Sequence, residues 1–470
     1  MEGHKLFAER LLAPYAPTPE NLLFVTYLFE MACEGHLCVS LEDPLLLKGA
    51  ATLPEAFKKS YLQQKGNCWY LLRNWNVENA FIKEWQRISQ IAPTLDIPLE
   101  DLENKLQGYP LLPEQKEAIL KCAQNALSLV YGGPGTGKSF TISVLIDAFP
   151  KAFRSTVVAP TGKAAAGLRL KLPSHCRVQT IHSLFSEKIL CDTDLLIVDE
   201  SSMVDAETLA TLFSLIKQGT RVVLLGDPFQ LPPVENGNFF ADLLLEGSTP
   251  KTELTCCLRT DLQEIIYLAA ACKRGSAIPY QPLPTPEKVL NLILERLPLE
   301  KSSLEELFEA YTQFRIFSPL RHGPYGVETL NQKIAERHLT KKPLIPIMVR
   351  ANNPHLGVFN GDMAILDVKE ELVFFPDGRS FSSHILPKYE PAYLLSVHKS
   401  QGSEYDEIAL LIPEGAERFG REILYTAITR ARHKVTLYGV EGIVEALLAK
   451  STPRFSGIGR GEQSNFRIEL

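Results

Sequence analysis

A glycine-rich stretch, GGPGTGKSFTI (132–142), has the residue types and spacing of a loop that binds phosphate groups. It matches the pattern G-x-x-x-x-G-K-[ST], with Gly132, Gly137, Lys138 and Ser139 at the required positions. Glycines allow successive backbone N–H groups to point at phosphate oxygens, and the N-terminal end of the following helix adds a positive potential. We therefore expect Lys138 to reach the β- and γ-phosphates of ATP, and the Ser139 hydroxyl to hold Mg²⁺.

The segments on either side of this loop suit such a role. ALSLVY (126–131) is an apolar run of strand length, and FTISVLIDAF (140–149) has apolar residues at helical spacing. A glycine-rich turn with a surface lysine is the alternative, but strand, loop and helix together favour nucleotide binding. The residues of this segment predicted to contact the nucleotide are Gly132, Gly133, Pro134, Gly135, Thr136, Gly137, Lys138, Ser139 and Phe140.

Two acids follow an apolar run in DLLIVDESSMVD (194–205), a pattern typical of a central parallel strand that is buried on both faces. Ligands bind at the carboxyl ends of such strands, so Asp199 is predicted to be the Mg²⁺ partner and Glu200 the base that deprotonates water. An acidic pair that merely caps a strand is the alternative, and the nearby phosphate loop favours catalysis. A further apolar run, RVVLLGDPFQLPPV (221–234), contains Gln230, which is either a polar turn residue or a sensor of the γ-phosphate.

A second anion site is indicated by APTGKAAAGL (159–168), in which Thr161, Gly162 and Lys163 open a helix after a strand. One nucleotide does not need two such sites, so a polyanion is a natural second ligand. In the C-terminal half, ILYTAITRARHKVTLYG (423–439) places Arg430 beside another strand, and Arg259 lies in LTCCLRT (254–260). Either arginine could reach the γ-phosphate from a second domain, although isolated basic residues are more often surface charges.

Composition allows several soluble domains and excludes few functions. The 470 residues are 45% hydrophobic and carry a net charge of −6, which weakly disfavours nucleic acid but leaves room for a local basic groove. Nine cysteines without a C-x-x-C pair fit free thiols in a reducing cytoplasm. No uncharged apolar run is long enough for a membrane span, and we expect neither export nor membrane insertion.

Two proline-bearing stretches, 91–104 and 277–288, are the predicted linkers. The first hundred residues show apolar positions at helical spacing and contain Trp69, Trp75 and Trp85. These tryptophans could stack nucleic-acid bases, but helix packing or a partner interface is the favoured use.

The ordered motifs resemble those of superfamily 1 helicases, specifically the RecD-like branch, over residues 105 to the end. The similar stretches are GGPGTGKS, APTGKAAAGL, TIHSLF, DLLIVDESSMVD, LLGDPFQLPPVENG, LTCCLRT, SVHKSQGSEYDEI and LYTAITRARHKV, with MVRANNPHLGVFNGD and PLRHGPYGVETLNQ in support. The resemblance implies an α/β fold with a small helical N-terminal domain (1–104) and two RecA-like P-loop motor domains (105–250 and 251–470). It also implies a small β-rich insertion at about 345–392 in the second motor domain, and movement along single-stranded DNA from 5′ to 3′.

The resemblance also implies roles for individual residues. Gln115 corresponds to a glutamine that contacts adenine, Gln230 to the γ-phosphate sensor, and Arg259 and Arg430 to arginine fingers. Glu404 corresponds to a ribose contact. The residues predicted to contact DNA, or to couple it to ATP, are Thr161, Gly162, Lys163, Thr180, His182, His398 and Gln401.

The N-terminal region resembles the small helical domain of the RecD subunit of RecBCD, exodeoxyribonuclease V, in its length and in EGHLCVSLED (34–43). The chain is shorter than the long RecD-like helicases, so a subunit with RecB- and RecC-like partners in double-strand break repair is the favoured interpretation. We find no nuclease constellation of carboxylates. The competing hypotheses are a DNA-stimulated ATPase that regulates or scaffolds a complex without separating strands, and a motor directed at RNA.

The sequence departs from the family pattern in two places. Thr260 stands where the family has glutamine, which affects one nucleotide contact. Only SEKILCDT (186–193) separates TIHSLF from DLLIVDE, where the family has a β-hairpin that splits the duplex.

Overall fold

Two parallel sheets flanked by helices form the main body of the chain. The structure is a computed structural model, and it describes residues 2–187, 192–257, 263–296, 303–339, 343–353 and 355–458. The predicted α/β fold with two RecA-like motor domains is confirmed.

The N-terminal domain combines helices with a three-stranded antiparallel sheet of order β1-β3-β2. The prediction of a small, mostly helical domain did not include this sheet. Its elements are α1 (Glu2–Leu12), α2 (Pro19–Cys33), β1 (Cys38–Ser40), α3 (Pro44–Thr52), α4 (Glu55–Tyr61), β2 (Leu62–Lys65), β3 (Cys68–Leu71) and α5 (Leu72–Ser89).

The first motor domain has a six-stranded, all-parallel sheet of order β6-β5-β7-β8-β4-β9. Its central strand β7 has all four residues buried, as its apolar sequence LLIV predicts. The elements are α6 (Leu99–Leu106), α7 (Pro113–Gln124), β4 (Leu127–Gly132), α8 (Lys138–Ala148), β5 (Ser155–Ala159), α9 (Gly162–Arg169), β6 (Arg177–Thr180), α10 (Ile181–Glu187), β7 (Leu195–Val198), α11 (Ala206–Leu215), β8 (Arg221–Gly226), α12 (Phe239–Glu246) and β9 (Lys251–Leu254).

This domain extends past both of its predicted bounds. Helix α6 begins inside the stretch 91–104 that was expected to be a linker, and its Leu102 and Leu106 are buried in the core of the domain. Strand β9 begins after residue 250 and pairs with β4. Both bounds at 104/105 and 250/251 are therefore corrected, because apolar side chains and strand pairing tie these segments to the first motor domain.

The second motor domain has a five-stranded parallel sheet of order β10-β19-β18-β11-β17, and an antiparallel sheet of order β15-β14-β13-β12-β16 is inserted between residues 344 and 391. The expected linker 277–288 contains β10, which pairs with β19 at the sheet edge. The elements are α13 (Gln263–Arg274), β10 (Gln281–Pro282), α14 (Pro286–Arg296), α15 (Leu304–Gln313), β11 (Phe314–Ser318), α16 (Val327–Leu339), β12 (Leu344–Val349), β13 (Met363–Asp367), β14 (Leu372–Phe374), β15 (Ser380–Ser382), β16 (Tyr389–Pro391), β17 (Leu394–Ser396), β18 (Tyr405–Ile412), α17 (Arg421–Ile428), β19 (Ala431–Gly439) and α18 (Ile443–Ala449).

The N-terminal domain is anchored to the first motor domain through α5, which packs on α11. The Phe81 ring stacks on Phe239 with ring centroids 4.1 Å apart. Trp85 donates a hydrogen bond to Thr249 Oγ1 at 3.2 Å, and Trp69 is buried with its ring edge-on to Phe24. These two tryptophans therefore serve packing rather than base stacking.

The segment after α18 returns to the N-terminal domain. The Leu37 N–H donates to Phe455 O at 2.7 Å, and the Gly457 N–H donates to Glu78 Oε2 at 2.9 Å. This contact joins the second motor domain to the N-terminal domain. In the part of the chain described, we find no helix that is long and apolar enough to cross a membrane.

Candidate nucleotide and nucleic-acid site

The phosphate loop joins β4 to α8 at the carboxyl edge of the first sheet. Gly135 and Gly137 have φ of +78° and +81°, a backbone conformation that suits glycine and lets the chain curl. Lys138 Nζ donates to Gly132 O at 2.6 Å and to Gly133 O at 3.0 Å, so the ammonium group lies over the mouth of the loop. This is the position from which it can move to phosphate oxygens.

Gln115 holds the loop from behind. It is fully buried; its Nε2 donates to Thr136 O at 3.2 Å, and its Oε1 accepts from Leu112 N at 3.1 Å. The amide oxygen therefore caps the start of α7, and the amide nitrogen attaches this helix to the phosphate loop. A contact between Gln115 and adenine stays a prediction.

Asp199 and Glu200 follow β7 beside the loop. The Asp199 Oδ1 accepts from the Glu200 N–H at 2.9 Å, and Glu200 has a positive φ of +51°, an uncommon conformation that is often found at functional sites. Burial, with a further contribution from the charge of Glu200, raises the pKa of Asp199 to about 6. The surroundings thus disfavour the charged form of Asp199, and a cation bound beside it would lower the free-energy cost of that charge.

The donor set fits Mg²⁺. Ser139 offers a hydroxyl and Asp199 a carboxylate, which are the hard oxygen ligands that Mg²⁺ prefers. Among the described residues no group of three or more His, Cys, Asp or Glu side chains could hold a metal. Mg²⁺ usually keeps several waters and is bound through substrate phosphates as well as protein oxygens. When bound, it would neutralise charge between the β- and γ-phosphates.

The segment after β8 carries the predicted γ-phosphate sensor, Gln230. Its side chain is 5% exposed and its Nε2 lies 3.4 Å from Asp227 Oδ2, while its Oε1 has no hydrogen-bond partner. A buried, unpartnered carbonyl oxygen is costly, so it indicates a place where a ligand or water is expected. Its role as a sensor stays a prediction.

The two motor domains are joined directly at this segment. Tyr425 of α17 donates to Asp227 Oδ2 at 2.8 Å, and both residues are buried. Burial, together with the charge of Asp227, raises the pKa of Tyr425 well above its usual range, so the phenol stays protonated and donates. The Leu231 N–H also donates to Thr426 Oγ1 at 2.8 Å. Sequence analysis missed this contact, because it joins residues nearly 200 positions apart.

A cavity of about 270 Å³ lies between the phosphate loop and the second motor domain. One wall is formed by Gly133, Pro134 and Thr136, and the opposite wall by α13 and by Tyr425 and Thr429. Its position at the carboxyl edge of the parallel sheet is where α/β domains bind nucleotides.

Two arginines, Arg259 and Arg430, are the predicted arginine fingers. Arg259 lies outside the described residues, as does Thr260, which stands where the family has glutamine. Arg430 is 5% exposed, and its guanidinium donates to Thr426 O at 3.2 Å and to Ser403 O at 3.4 Å. It is thus held within the second motor domain, and to reach a phosphate it must exchange these carbonyls for phosphate oxygens.

The residues predicted to contact DNA lie on both motor domains. Thr161 caps α9 by accepting from Ala164 N at 3.2 Å, and a Cβ built on Gly402 would lie 3.8 Å from Thr161 Oγ1. Lys163 Nζ lies 5.9 Å from the ring centroid of Tyr405 in β18. The segment around Thr161 and Lys163, which is predicted to bind the DNA strand, therefore faces the segment around Gly402 and Tyr405 across the domain boundary. We call these two the strand-binding segments.

The residues predicted to contact DNA also include Thr180, His182, His398 and Gln401. Thr180, the last residue of β6, accepts from Ser183 N at 3.1 Å just before α10, and His182 in this helix is exposed. Gln401 donates to Leu231 O at 3.4 Å. Burial and the charge of Arg454 lower the pKa of His398, which is therefore neutral at pH 7.

Two further predicted contacts lie at the edges of the site. Gly162 packs so closely against Phe359 of the insertion that an added Cβ would lie 2.9 Å from the Phe359 Cβ. Glu404 accepts from Arg432 Nε at 3.3 Å, and its contact with ribose stays a prediction.

Comparison with known proteins agrees with this geometry. The family described as AAA domain matches residues 110–281, and the UvrD-like helicase C-terminal domain matches residues 391–438. The RecBCD enzyme subunit RecD of Mycolicibacterium smegmatis is 28% identical, covering 88% of this chain and 85% of that protein. The same subunit of Haemophilus influenzae is 26% identical, covering 83% and 79%.

Two further likenesses are more partial. The ATP-dependent RecD2 DNA helicase of Deinococcus radiodurans is 30% identical, over 69% of this chain and 48% of that protein. A structure of Pif1 helicases at forked double-stranded DNA aligns with a TM-score of 0.49 at 20% identity, covering 70% of this chain and 92% of that one.

Two parallel-sheet domains, the first of which carries a phosphate loop and an acidic pair at its carboxyl edge, define a superfamily 1 motor, an enzyme that hydrolyses ATP. Within that superfamily the relatives that match most of this chain are RecD-like helicases, in agreement with the resemblance of its ordered motifs.

Replacing Glu200 with glutamine should separate binding from hydrolysis. We expect ATP to bind normally and turnover to fall by about 10²- to 10⁴-fold, because a general base is lost while Asp199 remains. Nucleotide binding and single-turnover hydrolysis would be measured beside Glu235→Gln, an exposed glutamate of the same domain. Loss of ATP binding along with turnover would show that the roles assigned to Asp199 and Glu200 are wrong.

Proposed function

We propose that this chain is an ATP-driven motor that moves 5′ to 3′ on single-stranded DNA and helps to unwind duplex DNA as the RecD subunit of a RecBCD-type helicase-nuclease. Relatives that align over most of both chains carry the name RecBCD enzyme subunit RecD. ATP and Mg²⁺ are its cofactors, and single-stranded DNA and RecB- and RecC-like subunits are its partners. It would act in double-strand break repair in the cytoplasm, with any nuclease supplied by a partner.

The observation that carries this proposal is that a segment predicted to bind DNA and a segment predicted to bind ATP meet at one interface. Gln401, from a segment predicted to contact DNA, donates to Leu231 O at 3.4 Å, next to the sensor Gln230. The same segment of the first motor domain also contacts α17 through Leu231 and Asp227. Movement of the domains on ATP binding would thus move the strand-binding segments, which is the requirement for a motor.

The strand-binding segments suit a ligand held by its backbone. They combine a helix N-terminus at Thr161, the ammonium group of Lys163 and neutral hydrogen-bonding side chains. Such contacts bind phosphates without reading bases, which agrees with a motor that is indifferent to sequence.

Stimulation of ATP hydrolysis by nucleic acid tests this assignment. We expect single-stranded DNA oligonucleotides to raise turnover of the full chain strongly, and RNA of the same sequence to raise it far less. Equal stimulation by RNA would favour the motor directed at RNA, and no stimulation by either would refute the coupling of the two sites.

A regulatory or scaffold ATPase without strand separation is the second candidate. The supporting feature is the short segment between α10 and β7, in place of the family's hairpin. Residues 188–191 of this segment lie outside the described residues, and its described residues 192–194 form no strand. Separating a duplex needs an obstacle at the fork, since base-pair steps cost about 1.4 kcal/mol each.

The isolated chain should therefore unwind DNA poorly. We expect ATP hydrolysis with DNA but little separation of duplexes with short 5′ tails, until a partner supplies the wedge. Exposed apolar side chains on three neighbouring helices of the N-terminal domain offer a docking surface for that partner: Leu6, Phe7, Leu23, Leu45 and Leu47. Vigorous unwinding of a 5′-tailed duplex by the purified chain, or unwinding only from a 3′ tail, would contradict this.

A further inference from the structure

Lys273, at the end of α13, reaches the phosphate loop from the second motor domain, and no motif assigns it a role. It lines the 270 Å³ cavity opposite Gly133 and Pro134. We propose that Lys273 binds the terminal phosphate of ATP and makes the site prefer ATP to ADP. This inference rests on the proposed nucleotide function and names a specificity residue within it.

The position of Lys273 beside the phosphate loop indicates that it binds the terminal phosphate. A Cβ built on Gly133 would lie 4.0 Å from Lys273 Nζ, and Gly133 O is also an acceptor for Lys138 Nζ at 3.0 Å. Two ammonium groups, one from each motor domain, thus lie at the same end of the loop. Since Lys138 is the group that reaches the β- and γ-phosphates in such loops, Lys273 lies at the γ-phosphate end.

The partners of Lys273 on the other side belong to the sensor segment. Its Nζ lies 4.2 Å from the ring centroid of Phe229 and 5.3 Å from that of Tyr425. Phe229 precedes the sensor Gln230, whose buried Oε1 has no hydrogen-bond partner. Lys273 is therefore placed between the two elements assigned to the γ-phosphate.

The surroundings of Lys273 leave its charge available to an anion. Among the described residues no ion pair involves Lys273, and the one carboxylate in the cavity wall, Glu253, accepts a hydrogen bond from Tyr131 Oη at 3.4 Å. A cation held over ring faces is bound less strongly than one that donates to a phosphate oxygen. A triphosphate in the loop would thus draw the ammonium group away from the rings.

This arrangement couples the identity of the nucleotide to the contact between domains. Lys273 and Tyr425 come from the second motor domain, whereas Phe229 and Gly133 come from the first. A γ-phosphate would hold the two domains together through Lys273, and ADP would not, because it lacks that group. The lysine would then favour closure with ATP and release after hydrolysis.

Binding of Mg²⁺-AMP-PNP and Mg²⁺-ADP to the full chain, measured by calorimetry, tests the inference. Lys273→Ala should weaken AMP-PNP binding about tenfold, as expected for one charge-assisted hydrogen bond, and ADP binding by less than about twofold. Lys273→Arg keeps the charge and should retain most of the preference for the triphosphate. Arg274→Ala, the exposed neighbour in the same helix turn, is the matched control and should bind both nucleotides as the wild type does.

Equal weakening of both nucleotides by Lys273→Ala would overturn the inference, as would unchanged binding of AMP-PNP. Wild-type protein that bound neither nucleotide would instead refute the proposed nucleotide site itself. The thermal midpoint of each variant shows whether a loss of binding arises from a loss of folding.

Discussion

Replacing Lys138 with alanine should abolish ATP hydrolysis while leaving the fold intact. The side chain is half-buried at the mouth of the phosphate loop, and both of its hydrogen bonds go to carbonyls of that loop. Its removal therefore takes away the charge that faces the phosphates but no core contact. Steady-state turnover with saturating DNA is the measurement, and we expect a rate indistinguishable from background.

The matched control is Lys151→Ala, an exposed lysine of the same motor domain, which should hydrolyse ATP normally. Normal turnover in Lys138→Ala would refute the whole nucleotide site. A large fall in the thermal midpoint would show instead that the lysine is needed for the folding of the phosphate loop.

Replacing Arg430 with alanine should lower turnover by roughly a thousandfold or more, the range typical of arginine fingers, with a much smaller change in ATP affinity. The guanidinium is held by Thr426 O and Ser403 O, both within the second motor domain. It can exchange these neutral acceptors for the charge that develops on the transferred phosphoryl group. The effect should therefore fall on kcat rather than on binding.

Because Arg430 is buried, its loss could also loosen the second motor domain. Arg430→Lys keeps a charge but not the planar fork, and we expect it to fold normally and still lose most of the turnover. Arg418→Ala, an exposed arginine just before α17, is the control. Near-wild-type turnover in both Arg430 variants would show that the finger is another residue, with Arg259 as the remaining candidate.

Short sequence patterns predicted those parts of the site that are formed by consecutive residues. The phosphate loop needs consecutive residues with special backbone angles, and Asp199 and Glu200 follow a strand whose apolar run is visible in the sequence. Helix α6 could also have been predicted from the sequence, because Leu99, Leu102 and Leu106 recur at helical spacing at the end of the stretch that was taken for a linker.

The rest depends on contacts between distant segments. The bond between Tyr425 and Asp227, and the place of Lys273 over Phe229, arise only when the second motor domain docks on the first. No spacing rule relates such residues. Strand β2 was missed for another reason: its sequence LQQK is polar and largely exposed, so it shows no alternation of apolar residues.

Directional movement along single-stranded DNA tests the central claim most directly. Purified chain would be mixed with ATP on oligonucleotides of increasing length that carry a fluorophore at either the 5′ or the 3′ end. We expect a signal of arrival at the 3′ end, with a delay that grows in proportion to length and disappears in Lys138→Ala. Arrival at the 5′ end, or a signal that does not depend on length, would contradict the account of this chain as a 5′-to-3′ motor.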